Sequence, residues 1–147
     1  MTVLGLDPVS VTCAELDASL TFYRDALGIP VHERGELHGG SAGAIVGVPD
    51  LRARFADLAL PDGRILELIE AAAGEPQHPD VLRPGAAHLA FRVDDAAAAF
   101  TRLRAAGWST ASPGPVTIDD PGGSWHASRA FYTRDPDGVT VEILQRP

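Results

Sequence analysis

Two glutamates stand at the same offset behind the same turn. Pro61-Asp62-Gly63 is followed, after three more residues, by Glu67, and Pro136-Asp137-Gly138 in the same way by Glu142. Each lies inside an apolar, strand-like run, where a charge is costly unless something pairs with it. The repetition points to a duplicated module whose two copies each give a carboxylate to a shared site. A histidine, His88, heads another strand-like run. Carboxylate and imidazole donors together suit a divalent cation such as Mn, Fe, Co, Ni or Zn.

The elements that must position these groups can be read from spacing. Val9 to Cys13 is β-like. Leu16, Leu20, Tyr23 and Leu27 then recur at helical spacing, acids sit in the first turn, and Gly28 is a natural stop. In the second half, His88 to Val93 is β-like. Asp94 and Asp95 can cap a helix through Ala96, Phe100 and Leu103 that stops at Gly107. Strands are expected over 30–36, 51–60, 108–111 and 128–133. Residues 39–43 and 120–124 read as Gly-rich loops. Residues 72–85, rich in Gly, Pro and Ala, link the halves. Neither half has strands enough for a core alone. The expected fold is α+β: one domain over 1–147, with two tandem βαβββ modules (about 5–71 and 86–146) forming a curved mixed sheet around one cavity.

Strand parity sorts the side chains. Ile65, Glu67 and Ile69 share a face, with Leu66 and Leu68 behind. Thr140, Glu142 and Leu144 share another, with Val139, Val141 and Ile143 behind. His88, Ala90 and Arg92 face away from Leu89, Phe91 and Val93. With the apolar sets on the helices, Glu67, His88, Glu142 and Arg92 would converge in the cavity.

Composition bounds the partners. The chain has 147 residues and a formal net charge of -8. Such an acidic chain has no electrostatic footprint for nucleic acid. No apolar stretch is long enough to span a membrane, and residues 1–7 lack the pattern of a secretion signal. The single cysteine, Cys13, excludes an internal disulfide and fits a reducing, cytoplasmic setting. It reads as a small buried apolar residue rather than a nucleophile.

Three segments carry a family resemblance: Leu20-Thr21-Phe22-Tyr23-Arg24-Asp25-Ala26-Leu27-Gly28, Gly85-Ala86-Ala87-His88-Leu89-Ala90-Phe91-Arg92-Val93, and Asp135-Pro136-Asp137-Gly138-Val139-Thr140-Val141-Glu142. Together they resemble the vicinal oxygen chelate superfamily of glyoxalases, epimerases, extradiol dioxygenases and fosfomycin- and bleomycin-resistance proteins. The resemblance covers nearly the whole chain, and it specifies fold more than reaction. It implies metal ligands at the start of each module's first strand and in each module's last strand. Glu67, His88 and Glu142 match three of those four places.

Pro8 falls in the fourth, where the family usually has a histidine, and it has no side-chain donor. Water or substrate could fill the place, His38 or His126 could replace the ligand, or the metal could have been lost. Arg92 either pairs with Asp94 or holds a substrate carboxylate or phosphate. Trp125 and His126 form either a lid or an exposed turn, Ser10 and Thr12 are candidate substrate contacts, and Asp62 and Asp137 serve turn geometry.

A metal beside carboxylates suits Lewis-acid activation of a carbonyl, with Glu67 or Glu142 removing the adjacent proton. The expected activity is thus a metal-dependent isomerase or lyase of the glyoxalase or epimerase type, acting on a small molecule. The alternatives are a non-enzymatic protein that sequesters a small molecule, as bleomycin-resistance proteins do, and an Fe(II) extradiol-type dioxygenase. The last needs a second histidine. A symmetric homodimer is the expected assembly.

Overall fold

Each half of the chain begins with a strand that crosses over a helix and pairs in parallel with the last strand of the same half. The computed structural model describes residues 1–3, 5–71 and 84–147. They belong to two units, Met1–Pro76 and Gln77–Pro147. Most of the expected linker, residues 72–83, lies outside the described residues.

In the first unit, β1 (Val9–Cys13) leads into α1 (Leu16–Leu20), which widens into a π-helical turn over Thr21–Ala26. Leu27 N–H donates to the Phe22 carbonyl and Ile29 N–H to that of Tyr23, and Gly28 then takes a positive φ of 80°. Then come β2 (Val31–His38), α2 (Gly40–Val46), β3 (Arg52–Ala59) and β4 (Ile65–Ala71). The strand order is β1-β4-β3-β2. Leu58, Leu66 and Leu68 are almost fully buried, as are Leu16, Leu20, Phe22 and Tyr23 of the helix. Each such side chain contributes about 2 kcal/mol of hydrophobic stabilisation. Cys13 is buried among the apolar set, as expected.

The second unit repeats the plan. β5 (His88–Val93), α3 (Ala96–Ala105), β6 (Val116–Thr117), β7 (Arg129–Arg134) and β8 (Thr140–Gln145) form a sheet of order β5-β8-β7-β6. Asp95 caps α3 as expected, accepting from Ala97 and Ala98 N–H. Phe100 of α3 meets Phe131 of β7 edge to face, 5.2 Å between centroids. The fold is thus α+β, with two tandem βαβββ modules, each a four-stranded mixed sheet.

Two local expectations need correction. Residues 39–43 are not a loop, because α2 starts at Gly40. Glycine is there for closeness: a Cβ on Gly43 would lie 2.5 Å from the Val48 carbonyl oxygen. Residues 108–111 form no strand of their own; a single bridge from Thr110 to Thr133 ties them to β7. The ladder edge is taken instead by β6, two residues long. Among the described residues no helix is long and apolar enough to cross a membrane.

Candidate functional site

The two Pro-Asp-Gly phrases build the same hairpin. Leu60 N–H donates to the Arg64 carbonyl and Gly63 N–H to that of Leu60; Asp135, Val139 and Gly138 repeat both bonds. Asp62 Oδ1 accepts from Arg64 N–H, which is the turn role expected of it. In the second hairpin Asp135 takes this role, accepting from Asp137 and Val139 N–H. The register that follows is mirror-symmetric about the turn. Glu67 lies opposite Asp57, and Glu142 lies opposite Tyr132.

The parallel ladders set the other neighbour. Ser10 pairs with Glu67 and Ala90 with Glu142. Two residues upstream of these stand Pro8, just before β1, and His88, the first residue of β5, so Pro8 holds the place in the first unit that His88 holds in the second.

In the second unit, His88 Nε2 lies 3.2 Å from Glu142 Oε2, with the imidazole 38% and the carboxylate 17% exposed. Tyr132 meets the His88 ring edge to face, centroids 5.5 Å apart. Burial first, then the Glu142 charge, raises the Tyr132 hydroxyl above its ordinary value. It is therefore a neutral O–H near pH 7. Arg92 shares this face by parity and is exposed. It makes no ion pair with Asp94, whose Oδ1 accepts from Asp95 N–H. A cleft of about 280 Å³ opens beside Tyr132, with Ser109, Thr110, Arg134 and Thr140 also lining it.

In the first unit, Ser10 Oγ donates to Glu67 Oε2 at 2.5 Å. Asp57, on the same face, has Oδ1 buried with no hydrogen-bond partner among the described residues. Burial first, then Glu67 and Glu33, raises the Asp57 carboxyl, against a smaller opposing effect of His32. Thr12 lies two residues beyond Ser10 on the same face, exposed.

The remaining candidates stand apart from these groups. Register puts His38 opposite Arg52, on the face away from Glu67, and its Nε2 lies 3.2 Å from Glu36 Oε2. His126 turns into its own loop, where Nδ1 accepts from Asp120 N–H at 3.2 Å. Trp125 lies under the Arg146 guanidinium, 3.9 Å from its ring centroid, and Arg146 also donates to the Ser124 carbonyl. That clamp fastens the segment against β8.

Asp57 and Tyr132 were not among the residues expected from the sequence. Both could have been found by counting: each lies five residues before the central Asp of its turn, as each glutamate lies five after.

An imidazole nitrogen beside a carboxylate oxygen fits a divalent cation by donor type. Two donors of these types stand together at His88 and Glu142. Taken by itself, neither unit gathers three His, Cys, Asp or Glu side chains into one group among the described residues.

Two sheets of this topology, each with a glutamate in its last strand, agree with the sequence comparison. The chain matches the Glyoxalase/Bleomycin resistance protein/Dioxygenase superfamily over residues 5–143 and belongs to that family. No curated protein matches it. Among solved structures, a glyoxalase family protein from Bacillus cereus is similar at 21% identity and TM-score 0.83, covering 99% of this chain and 95% of that one. A glyoxylase/bleomycin resistance protein/dioxygenase domain from Frankia sp. EAN1pec is similar at 23% identity and TM-score 0.73, covering 99% and 100%. FosX from Listeria monocytogenes, a fosfomycin resistance protein complexed with Mn(II) and sulfate, is similar at 13% identity and TM-score 0.65, covering 99% and 95%. At these identities the likeness is one of fold.

Proposed function

We propose that this protein is a divalent-metal-dependent isomerase or lyase of the glyoxalase or epimerase type, moving a proton α to the carbonyl of a small molecule. The observation that carries this reading is the His88–Glu142 pair, 3.2 Å apart on one face of the second sheet. The Mn(II) held by FosX, a protein of like fold, supports it. His88 and Glu142 would hold the cation, with Glu67 as the third candidate donor. A bound cation would supply Lewis-acid polarisation of a carbonyl oxygen, which acidifies the neighbouring carbon.

The chain's own groups account for the rest. Glu67 or Glu142 takes the proton as general base and returns it. The neutral Tyr132 hydroxyl donates to substrate oxygen. Arg92, exposed on the His88 face, holds a carboxylate or phosphate, which guanidinium recognises in bidentate fashion. Ser10 and Thr12 add hydroxyl contacts. The cleft beside Tyr132, about 280 Å³, is at the small end of ligand sites. The partner is a small molecule, and the assembly we propose is a homodimer.

One observation favours a second reading. Pro8 removes a donor that the His88 position retains, which suits a protein that binds a small molecule without turning it over. The dioxygenase reading is weaker, since His38 faces away from Glu67 and His126 is engaged with Asp120.

Elemental analysis of gently purified protein, before and after chelation and resupply of Mn, Co, Ni, Zn or Fe(II), tests the proposal. It is paired with deuterium exchange over a panel of small α-proton carbonyl compounds in D2O. Near-stoichiometric metal and metal-dependent exchange are expected. No uptake of any of the five metals would overturn the metalloenzyme reading.

A further inference from the structure

We propose that Arg134, with the hydroxyls of Thr140 and Tyr132, forms an oxyanion subsite in the cleft of the second unit, so that the small molecule is an acid whose carboxylate or phosphate enters there. The substrate role rests on the small-molecule reading above, whereas the anion contact itself needs no cation and no residue of the first unit.

The hairpin register places these groups. Arg134 lies opposite Thr140 across the β7–β8 ladder, and Tyr132, two residues earlier on β7, shares the Arg134 face. All three line the cleft. Unlike Arg92, which is exposed on β5, Arg134 stands half-buried in a cleft wall. Its Nη1 donates to the Gly138 carbonyl at 2.6 Å, which pins the guanidinium to the turn. The Nε and Nη2 edge makes no hydrogen bond among the described residues. Elsewhere in this chain the same edge grips a carboxylate twice, from Arg24 on Asp25 and from Arg54 on Glu70. Two parallel N–H groups match the paired oxygens of a carboxylate or phosphate. Asp135, next to Arg134, is taken up by the turn, accepting from Asp137 and Val139 N–H.

The hydroxyls point the same way. Thr133 and Thr110 spend theirs on the Ser109 and Ser112 carbonyls. Thr140 is only 5% exposed, yet its hydroxyl has no partner among the described residues. A buried polar group left unpaired is costly, and an oxyanion in the cleft would accept from it.

The test uses the full chain after chelator treatment, at constant ionic strength. Inorganic phosphate and propionate are the probes, and propionamide is the uncharged control. Binding is read from backbone amide and arginine Nε–H signals of 15N-labelled protein, the Arg134 signal being assigned by its loss in Arg134→Lys. Saturable movement of the Arg134 signal with phosphate, propionate or both is expected, and none with propionamide; which anion acts separates a phosphate from a carboxylate ligand. Arg134→Met is expected to weaken binding about tenfold or more. Thr140→Val, which keeps the turn bond of Arg134, should weaken it about threefold. Arg64→Met, which removes the same charge from the exposed first hairpin, should change it less than about twofold. Circular dichroism confirms folding of each variant. An Arg134 signal that neither anion moves in the wild type would overturn the subsite, as would equal movement with propionamide. Wild-type affinity in both Arg134→Met and Thr140→Val would overturn it too. Metal uptake without anion binding would overturn this inference alone; anion binding without metal uptake would uphold it and remove the metal-dependent reading.

Discussion

The two units share their strand order and hairpin register and differ in the side chains hung on them. Each closes its last hairpin with the same two turn bonds, and each sends a side chain from its last strand to the start of its helix. In the first unit Glu70 Oε2 accepts from Leu16 N–H at 2.6 Å; in the second Gln145 Oε1 accepts from Ala96 N–H at 3.0 Å. Across the same register, however, Pro8 answers to His88, Ser10 to Ala90 and Asp57 to Tyr132. Turn, register and helix docking are constrained by backbone hydrogen bonding, which every copy must satisfy. The three side chains around each glutamate carry no such duty, so chemistry can diverge there on one scaffold.

The widest gap between the units should lie in metal affinity. His88→Ala and Glu142→Gln are each expected to cost about 100-fold in Mn(II) affinity, at or above the range for residues that merely support a ligand. Equilibrium dialysis with elemental analysis checks this, and unchanged uptake in both would erase the contrast between the sheets.

The reverse change should narrow the gap. Pro8→His supplies the first unit with the imidazole–carboxylate pair that it lacks. A gain of about tenfold in Mn(II) affinity is expected, a modest figure because Glu67 must give up its bond from Ser10. Titration calorimetry of the variant beside wild type reads it.

Acid should tell the two helix-start contacts apart. The bond from Arg54, then that from Leu16 N–H, lowers the Glu70 carboxyl below its ordinary 4.5, against desolvation and the Asp17 charge. A carboxyl lowered on folding contributes stability that is present above its unfolded value and is lost as pH falls through the folded one. Gln145 makes its bond without titrating. Glu70→Gln should therefore flatten part of the fall in Tm below about pH 4.5, at the cost of the Arg54 ion pair near neutrality. Thermal melts from pH 3 to 7 would show it. An unchanged slope would mean that Glu70 does not carry the acid sensitivity of the first unit.

The smallest contrast concerns the helix caps. Asp95 accepts from two N–H groups of α3, while Glu15, at the start of α1, makes no side-chain cap bond. Asp95→Ala should cost about 1 kcal/mol, roughly 3 °C in Tm for a chain of this length. Glu15→Ala should leave Tm nearly unmoved. Equal losses would show that the two helix starts are held alike.

How much was legible in the chain follows from the range of each interaction. β5 was bounded correctly because alternation and its flanking signals are local, and the Asp95 cap because its bonds reach only two and three residues. The Gly-rich stretch at 39–43 misled because Gly39 and Gly43 serve a close approach to residues 48 and 49, which composition reports only as flexibility. The 108–111 stretch looked like a strand but found one bridge, since strand pairing depends on what lies alongside. For the candidate site, parity put His88 and Arg92 on the face of Glu142. Nothing local said that His126 would turn toward Asp120 or His38 toward Glu36.

By itself the sequence determined the duplication, the two hairpins and the place of a carboxylate in each final strand. A Pro-Asp-Gly turn and a two-residue period are sufficient for that. It also determined that a proline stands where a histidine would complete the pattern. Only the tertiary structure decided what each carboxylate touches. Ser10 reaches Glu67 across 57 positions of chain, and His88 reaches Glu142 through a parallel crossover. Such pairings arise when the helix docks and brings the first strand against the last. No short-range preference encodes them, because the register is chosen by the buried apolar face of the whole sheet.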